Sequence, residues 1–213
     1  MTEESKKSSI VVNAFDESSV KNFKNEFDEL NHSNIPIIPI FIDSYGGEVY
    51  SLFAMLDIIS TATKPIATIA LGKAMSCGGI LLACGSPEFR FVGPYSTVMI
   101  HDAASMSFGK IEELKADVFE ADRLNKKMYS ILDQRCNKKK DYFQKLLSER
   151  KHANIYLDAN EVINHGIADH VGIPVIETSF NLNVVSPEPQ RTEVKKSKNV
   201  KKRKTNSKKT KKK

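Results

Sequence analysis

Cysteine is scarce in this 213-residue chain, with only Cys77, Cys84 and Cys136. Three is too few, and too odd a number, for a disulfide framework, which points to a reducing compartment. Long apolar runs are also missing. No stretch reaches the roughly 18 uninterrupted apolar residues of a membrane helix, and Met1–Ser9 is polar with no apolar signal core. A cytoplasmic protein with no membrane partner is expected. Positive charge is short in most of the chain, although the formal total is +6. Of the 32 Lys and Arg, 13 lie in Arg191–Lys213 beside a single acid, Glu193, so that this tail carries +12 and the first 190 residues carry −6. A folded domain of that sign argues against a basic globular nucleic-acid-binding protein.

What is present is ordinary globular composition, 40% hydrophobic and 27% charged, in a length that suits one domain. Ser9–Ala14 reads as a first strand. Asp16 or Ser18 can cap a helix to Leu30, with Val20, Phe23, Phe27 and Leu30 at helical spacing. Pro36 and Pro39 flank a second strand reaching Asp43. A helix follows with Val49, Leu52, Phe53, Leu56 and Ile59 on one face. Ile66–Leu71 is a third strand, Gly72–Ser76 a tight loop, and Cys77–Cys84 a short apolar helix. Phe89–Val92 and Thr97–Ile100 are further strands. Strands alternating with helices mean α/β with largely parallel pairing.

Lys110–Asp133 reads as a long helix of about 36 Å. Ile111, Leu114, Val118, Ala121, Met128 and Leu132 form one apolar stripe, and Phe119, Leu124, Tyr129 and Ile131 a second edge. It can pack along the domain, or project and meet another subunit; apolar residues on two faces favour the second. A helix near Lys140–Glu149, an irregular link, a helix from Asp158 to Asn164 and a strand near Pro174–Ile176 complete the domain. The domain plan is a short N-terminal segment 1–8, a folded domain 9–180 and a disordered lysine-rich tail 181–213.

Three local features bear on chemistry. Gly46-Gly47 after a strand is either a plain turn or a backbone that can approach a ligand. In Gly72-Lys73-Ala74-Met75-Ser76-Cys77-Gly78-Gly79 a strand turns into an apolar helix, and Ser76 is either its N-cap or a nucleophile at a sharp elbow. His101, at the end of Thr97–Ile100, is either a base or a satisfied structural group.

In order and spacing, S-Y-G-G, G-K-A-M-S-C-G-G and F-R-F-V-G-P-Y-S-T-V-M-I-H resemble the proteolytic subunits of the Clp protease, the ClpP family. That family shows S-P-G-G, G-x-A-x-S-M-G and a strand ending V-M-I-H. The closing L-D-A-N-E-V-I-N-H-G-I-A-D-H-V is similar to its L-[ST]-A-x-E-A-x-x-x-G-[LI]-x-D-x-[IV]. The resemblance runs from about Ser9 to Ile176 and implies a ClpP/crotonase-like spiral of βαβ units with the long helix as a handle. It implies Ser76 as nucleophile, His101 as general base, and Gly47 and Cys77 as backbone donors of an oxyanion hole. Gly46, Gly47 and the segment from Ala103 to Gly109 would hold substrate as an added strand. No metal or cofactor is implied.

The departures from the family pattern are specific. The third catalytic position falls on Asn154 where the family has aspartate; an amide can accept the imidazole N–H but brings no charge. Asp102 and Asp158 are substitutes to weigh, the first expected to point elsewhere and the second to cap a helix. Tyr45 replaces proline, Lys73 replaces glutamine, and about eight residues precede the first strand where the family has a longer axial segment. The resemblance implies a homo-oligomer of two stacked heptameric rings, unfolded polypeptide substrates and an AAA+ unfoldase partner, with Phe41, Ile69, Leu71 and Phe91 at the docking positions. The expectation is therefore a serine endopeptidase. The alternative is a catalytically weak ring subunit acting as a scaffold. A crotonase-like acyl-CoA enzyme is disfavoured by the Ser76 and His101 pair. The tail can bind polyanions through charge alone, having no interleaved aromatics; K-K-R-K at Lys201–Lys204 also resembles a nuclear import patch. His165, Asp169 and His170 match no standard metal spacing.

Overall fold

The first helix shows how local sequence sets the frame. In the computed structural model, which describes residues 8–104 and 108–175, Asp16 caps α1 (Glu17–His32) by accepting from the Ser19 N–H at 2.7 Å, and Ser19 Oγ accepts in turn from the Asp16 N–H. Phe23, Phe27 and Leu30 recur on one face and are fully covered. That face lies over β1 (Ile10–Val12) and beside α2 (Val49–Ile59), whose buried residues include Leu52, Met55 and Ile59.

Among the described residues the sheet has seven strands. β1, β2 (Ile38–Ser44), β3 (Ile66–Met75), β4 (Arg90–Val92) and β7 (His170–Val171) lie side by side, all parallel. Pro39 lies inside β2, not at its flank. It is tolerated because β1 joins only at Ile40, which leaves β2 an edge at that point.

β3 is longer than its sequence suggests. The expected loop Gly72–Ser76 is strand as far as Met75. Gly72 takes φ of 68°, the register against β2 shifts between Ile42 and Ser44, and β3 then changes partner from β4 to β5 (Thr97–Ile100). Glycine supplies the bend at little steric cost, and pairing with β5 keeps the rest extended. α3 (Cys77–Ala83) follows directly and is buried throughout.

Two further expectations are corrected. The irregular link contains β6 (Ile155–Leu157), antiparallel to β5. The last strand is β7 and not Pro174–Ile176; Pro174 and Val175 carry no strand, and 176 lies outside the described residues. α4 (Ile111–Arg135), α5 (Tyr142–Glu149) and α6 (Ala159–Asn164) complete the order. Asp158 caps α6, accepting from the Glu161 N–H at 2.9 Å.

α4 is divided along its length. Leu124, Met128, Tyr129 and Leu132 are buried, so the core takes residues from both expected stripes of its C-terminal half. In the N-terminal half Ile111, Val118 and Phe119 are exposed, the last two at 68% and 73%. Of the four expected docking positions, Ile69 is wholly buried between its neighbours Phe41 and Phe91 and offers no surface; those two are half-buried and Leu71 is exposed. Among the described residues no helix is long and apolar enough to cross a membrane. The chain divides into two units, Met1–Thr178 and Ser179–Lys213, and the second lies outside the described residues.

One polar node ties the late elements to the sheet. Arg90 on β4 forms a two-point ion pair with Asp169, with Nε to Oδ2 at 2.9 Å, and also donates to the carbonyls of Arg135 and Gly166. Burial alone would raise the Asp169 carboxyl, but the hydrogen bonds and charge of Arg90 outweigh it and hold the carboxyl below its usual value. Stability from this group is present above the unfolded value of about 3.9 and is lost as pH falls through the depressed folded value. Asp169→Asn should cost about 3–5 kcal/mol in urea unfolding at neutral pH, because it leaves Arg90 unpaired. It should also remove part of the acid-induced loss of stability below about pH 4.

Candidate active site

Ser76 stands between β3 and α3 with φ of 55° and ψ of −120°, outside the conformations an ordinary residue prefers. Such a backbone costs on the order of 1–3 kcal/mol and persists only where its surroundings hold it. Here the Ser76 N–H donates to the Met99 carbonyl on β5 at 2.7 Å. Ser76 occupies the N-cap position of α3, yet its side chain makes no capping hydrogen bond. Instead Ser76 Oγ lies 2.8 Å from His101 Nε2. The Ser76 side chain therefore does not serve as the helix cap.

The glycines before α2 are required by space. A Cβ on Gly46 would stand 2.7 Å from Ser76 Cβ and 3.0 Å from the Met75 carbonyl oxygen. One on Gly47 would stand 2.4 Å from the Phe15 carbonyl oxygen, and both glycines hold positive φ, 102° and 152°. Chain pairing fixes this loop: Gly47 bridges Phe15, and the Glu48 N–H donates to the Phe15 carbonyl at 2.8 Å. Cys77 Sγ points at the Gly47 carbonyl, 3.4 Å away. The N–H groups of Gly47 and Cys77 both interact with the Cys77 thiol and partly offset the effect of its burial. Backbone N–H groups beside a serine hydroxyl can stabilise negative charge on an oxygen.

The third position is less complete. β5 and β6 pair Ile100 with Ile155, so Asn154 stands opposite His101 one step further on. Asn154 is exposed, and no hydrogen bond joins it to His101 among the described residues. The substitutes are engaged elsewhere. Asp158 caps α6, and Asp102 accepts from the Tyr129 hydroxyl and meets His152 Nδ1 at 2.7 Å. Lys73 forms an ion pair with Asp43 and lies over the Tyr45 ring at 4.5 Å, so no Ser-Lys dyad forms.

Ala103 continues the chain past His101, and its N–H is taken by Asn125 Oδ1 on α4 at 2.7 Å. A cavity of about 490 Å³ begins at Gly47 and is lined by Val49, Ala103, Ala121, Leu124 and Glu120. Residues 105–107 of the expected substrate-holding segment lie outside the described residues. The three residues weighed for a metal go separate ways: His165 Nδ1 bonds the Tyr142 hydroxyl, Asp169 pairs with Arg90, and His170 Nε2 meets the Glu88 carbonyl.

Comparison with known proteins adds a family match. The model of the family described as Clp protease matches residues 12–174. The ATP-dependent Clp protease proteolytic subunit 1 of Corynebacterium glutamicum is 30% identical over 135 residues, which are 63% of this chain and 63% of that protein. The protein of the same description in Salinibacter ruber is 32% identical over 134 residues, 63% of this chain and 56% of its own length. The chain therefore spans less than two thirds of the length of these curated relatives.

The thiols fit packing and not nucleophilic chemistry. Burial pushes the Cys77 and Cys84 thiols up to about 11 and Cys136 up to about 12. A thiol reagent at pH 7.5 should accordingly titrate none of the three quickly in the native protein and all three in denaturant. Rapid native labelling of Cys77 would count against the serine as the reactive side chain.

Proposed function

Because the chain belongs to the Clp protease family, we propose that it is a serine endopeptidase acting on unfolded polypeptide, with Ser76 as nucleophile and His101 as general base. One observation carries this reading: the Ser76 hydroxyl leaves a helix end that it could cap and lies instead 2.8 Å from an imidazole nitrogen. A serine hydroxyl is a poor nucleophile until a base removes its proton. His101 Nε2 takes that proton as Ser76 Oγ attacks the scissile carbonyl. The resulting oxyanion is received by the N–H groups of Gly47 and Cys77. The intermediate collapses to an ester on Ser76 as His101 returns the proton to the leaving amine. A water deprotonated by the same imidazole then frees the acid and Ser76.

Asn154 would accept the His101 Nδ1–H through its amide oxygen, which fixes the tautomer without adding charge. Gly46, Gly47 and Ala103 would hold the substrate backbone extended, and the cavity beside Gly47 would take a side chain.

The reading extends to a homo-oligomer of two stacked heptameric rings in the cytoplasm. Exposed Phe108, Ile111, Val118 and Phe119 on and before the outer half of α4 support a subunit contact. Both relatives are described as subunits of an ATP-dependent protease, which is in keeping with an AAA+ unfoldase partner, for which Leu71 and the half-buried Phe41 and Phe91 offer apolar surface. The tail from Arg191 would act as an appendage that binds polyanions through charge.

A second reading, a catalytically weak ring subunit serving as a scaffold, is favoured by the missing contact between Asn154 and His101. One experiment separates the two. A serine-directed phosphonate should label the assembled wild-type protein, and the protein should hydrolyse small unstructured peptides. Ser76→Ala should abolish labelling and lower turnover by at least about 10³-fold. Wild-type protein that is assembled but unlabelled is a scaffold. Asn154→Asp should raise kcat, read by steady-state peptide hydrolysis, if residue 154 orients the base.

A further inference from the structure

Asp102 directly follows the general base, yet its side chain turns away from Ser76. Its two carboxylate oxygens are gripped from different elements. Tyr129, buried in the inner half of α4, donates its hydroxyl to one, and His152 Nδ1 lies 2.7 Å from the other. Burial and the hydrogen bond to Asp102 both raise the Tyr129 phenol, so it stays a donor. His152 lies in the turn between α5 and β6, and both Lys151 and His152 take left-handed backbone, φ of 55° and 59°. That turn is fastened to α5 by His152 N–H to the Leu147 carbonyl at 2.9 Å and Ala153 N–H to the Arg150 carbonyl at 3.1 Å.

Two residues later comes Asn154, which directly precedes the Ile155 that pairs with Ile100, the residue before His101. The grip therefore lies just beyond the paired ends of the two strands. Residues 101 and 102 stand on one side of it, 152 and 154 on the other.

We propose that Asp102, held between Tyr129 and His152, is a positioning residue that sets the Asn154 segment against His101; this rests on the peptidase reading above. The physical need comes from residue 154. A carboxylate facing an imidazole is drawn in by charge, whereas a neutral amide makes a hydrogen bond roughly half as strong. An exposed amide just before a three-residue strand needs its backbone fixed by something else. A carboxylate clamped at the adjacent position fixes that backbone, so that the amide needs only a side-chain rotation to meet His101. Tyr129 anchors the β5 side of the step to α4, and His152 anchors the β6 side to the same carboxylate.

The test uses the full chain, an unstructured peptide substrate, phosphonate titration of active sites, and thermal midpoints on the same samples. His152→Ala should lower kcat per titrated site by about 10- to 100-fold. KM should stay within about twofold and the thermal midpoint should be nearly unchanged. His152→Gln, whose amide N–H can reach Asp102, should recover part of the loss. Asp102→Asn should behave like His152→Ala. In an Asn154→Asp background the His152→Ala loss should shrink, because a charged acceptor finds His101 without the clamp. Wild-type turnover that His152→Ala and Asp102→Asn leave unchanged would overturn the proposal. So would a loss that merely follows lowered midpoints and fewer titratable sites, or one undiminished by Asn154→Asp. No wild-type turnover at all would overturn the peptidase reading and this proposal with it.

Discussion

The hydrogen bond from the Ser76 N–H to the Met99 carbonyl holds the site together. It joins the end of β3 to β5 at Ser76, a non-glycine residue held at a φ of 55°. Without it the chain could relax Ser76 into an ordinary N-cap, where its hydroxyl would serve the helix and not the histidine. With it, Ser76 and His101 leave neighbouring parallel strands at adjacent points, and their side chains meet. The glycine at position 46 is a consequence of the same constraint, since the elbow projects Ser76 Cβ into space that any side chain at 46 would need. The strain is carried by a setting that is rigid for independent reasons: every residue of α3 is buried, and β3 is paired on both sides.

The neighbouring cysteine is poorly suited to nucleophilic chemistry. Cys77 starts α3 with its thiol directed at the Gly47 carbonyl and buried, which raises its pKa and leaves little thiolate near neutral pH. Its contact instead ties the glycine loop to the helix end. Gly47 and Cys77 are therefore fixed relative to each other by a side-chain contact as well as by the strands.

Elements with strong periodicity were legible in the sequence. Phe23, Phe27 and Leu30 announce the inner face of α1, Asp16 its start, and Thr97–Ile100 the strand that ends at the base. The continuation of β3 was not legible, because Gly72 and Lys73 carry turn chemistry and pairing with β5 holds the strand only from Lys73 onward. β6 and β7, with three and two residues, are too short for any period to show, and owe their conformation to β5 and β4. At the site, Ser76, His101 and the two glycines could be read as a set only through their order along the chain, since each alone has a commoner structural explanation. The grip on Asp102 could not be read at all. Its partners lie 27 and 50 residues away, on a helix face and in a turn whose left-handed residues are a lysine and a histidine.

α4 links the site to the rest of the molecule, and its two halves differ in kind. The outer half exposes Val118 and Phe119. Among the described residues, the inner half supplies the hydrogen bonds from this helix to the site segment: Asn125 to the Ala103 N–H, and Tyr129 to Asp102. Those two residues sit among Leu124, Met128 and Leu132, which the domain's own core covers. Burying an aliphatic side chain of that size is worth about 1.5–3 kcal/mol, so three of them anchor the inner half firmly. The helix positions that support the His101 segment are secured within one chain. The 2.8 Å approach of Ser76 to His101 is thus set by contacts that a single copy makes for itself.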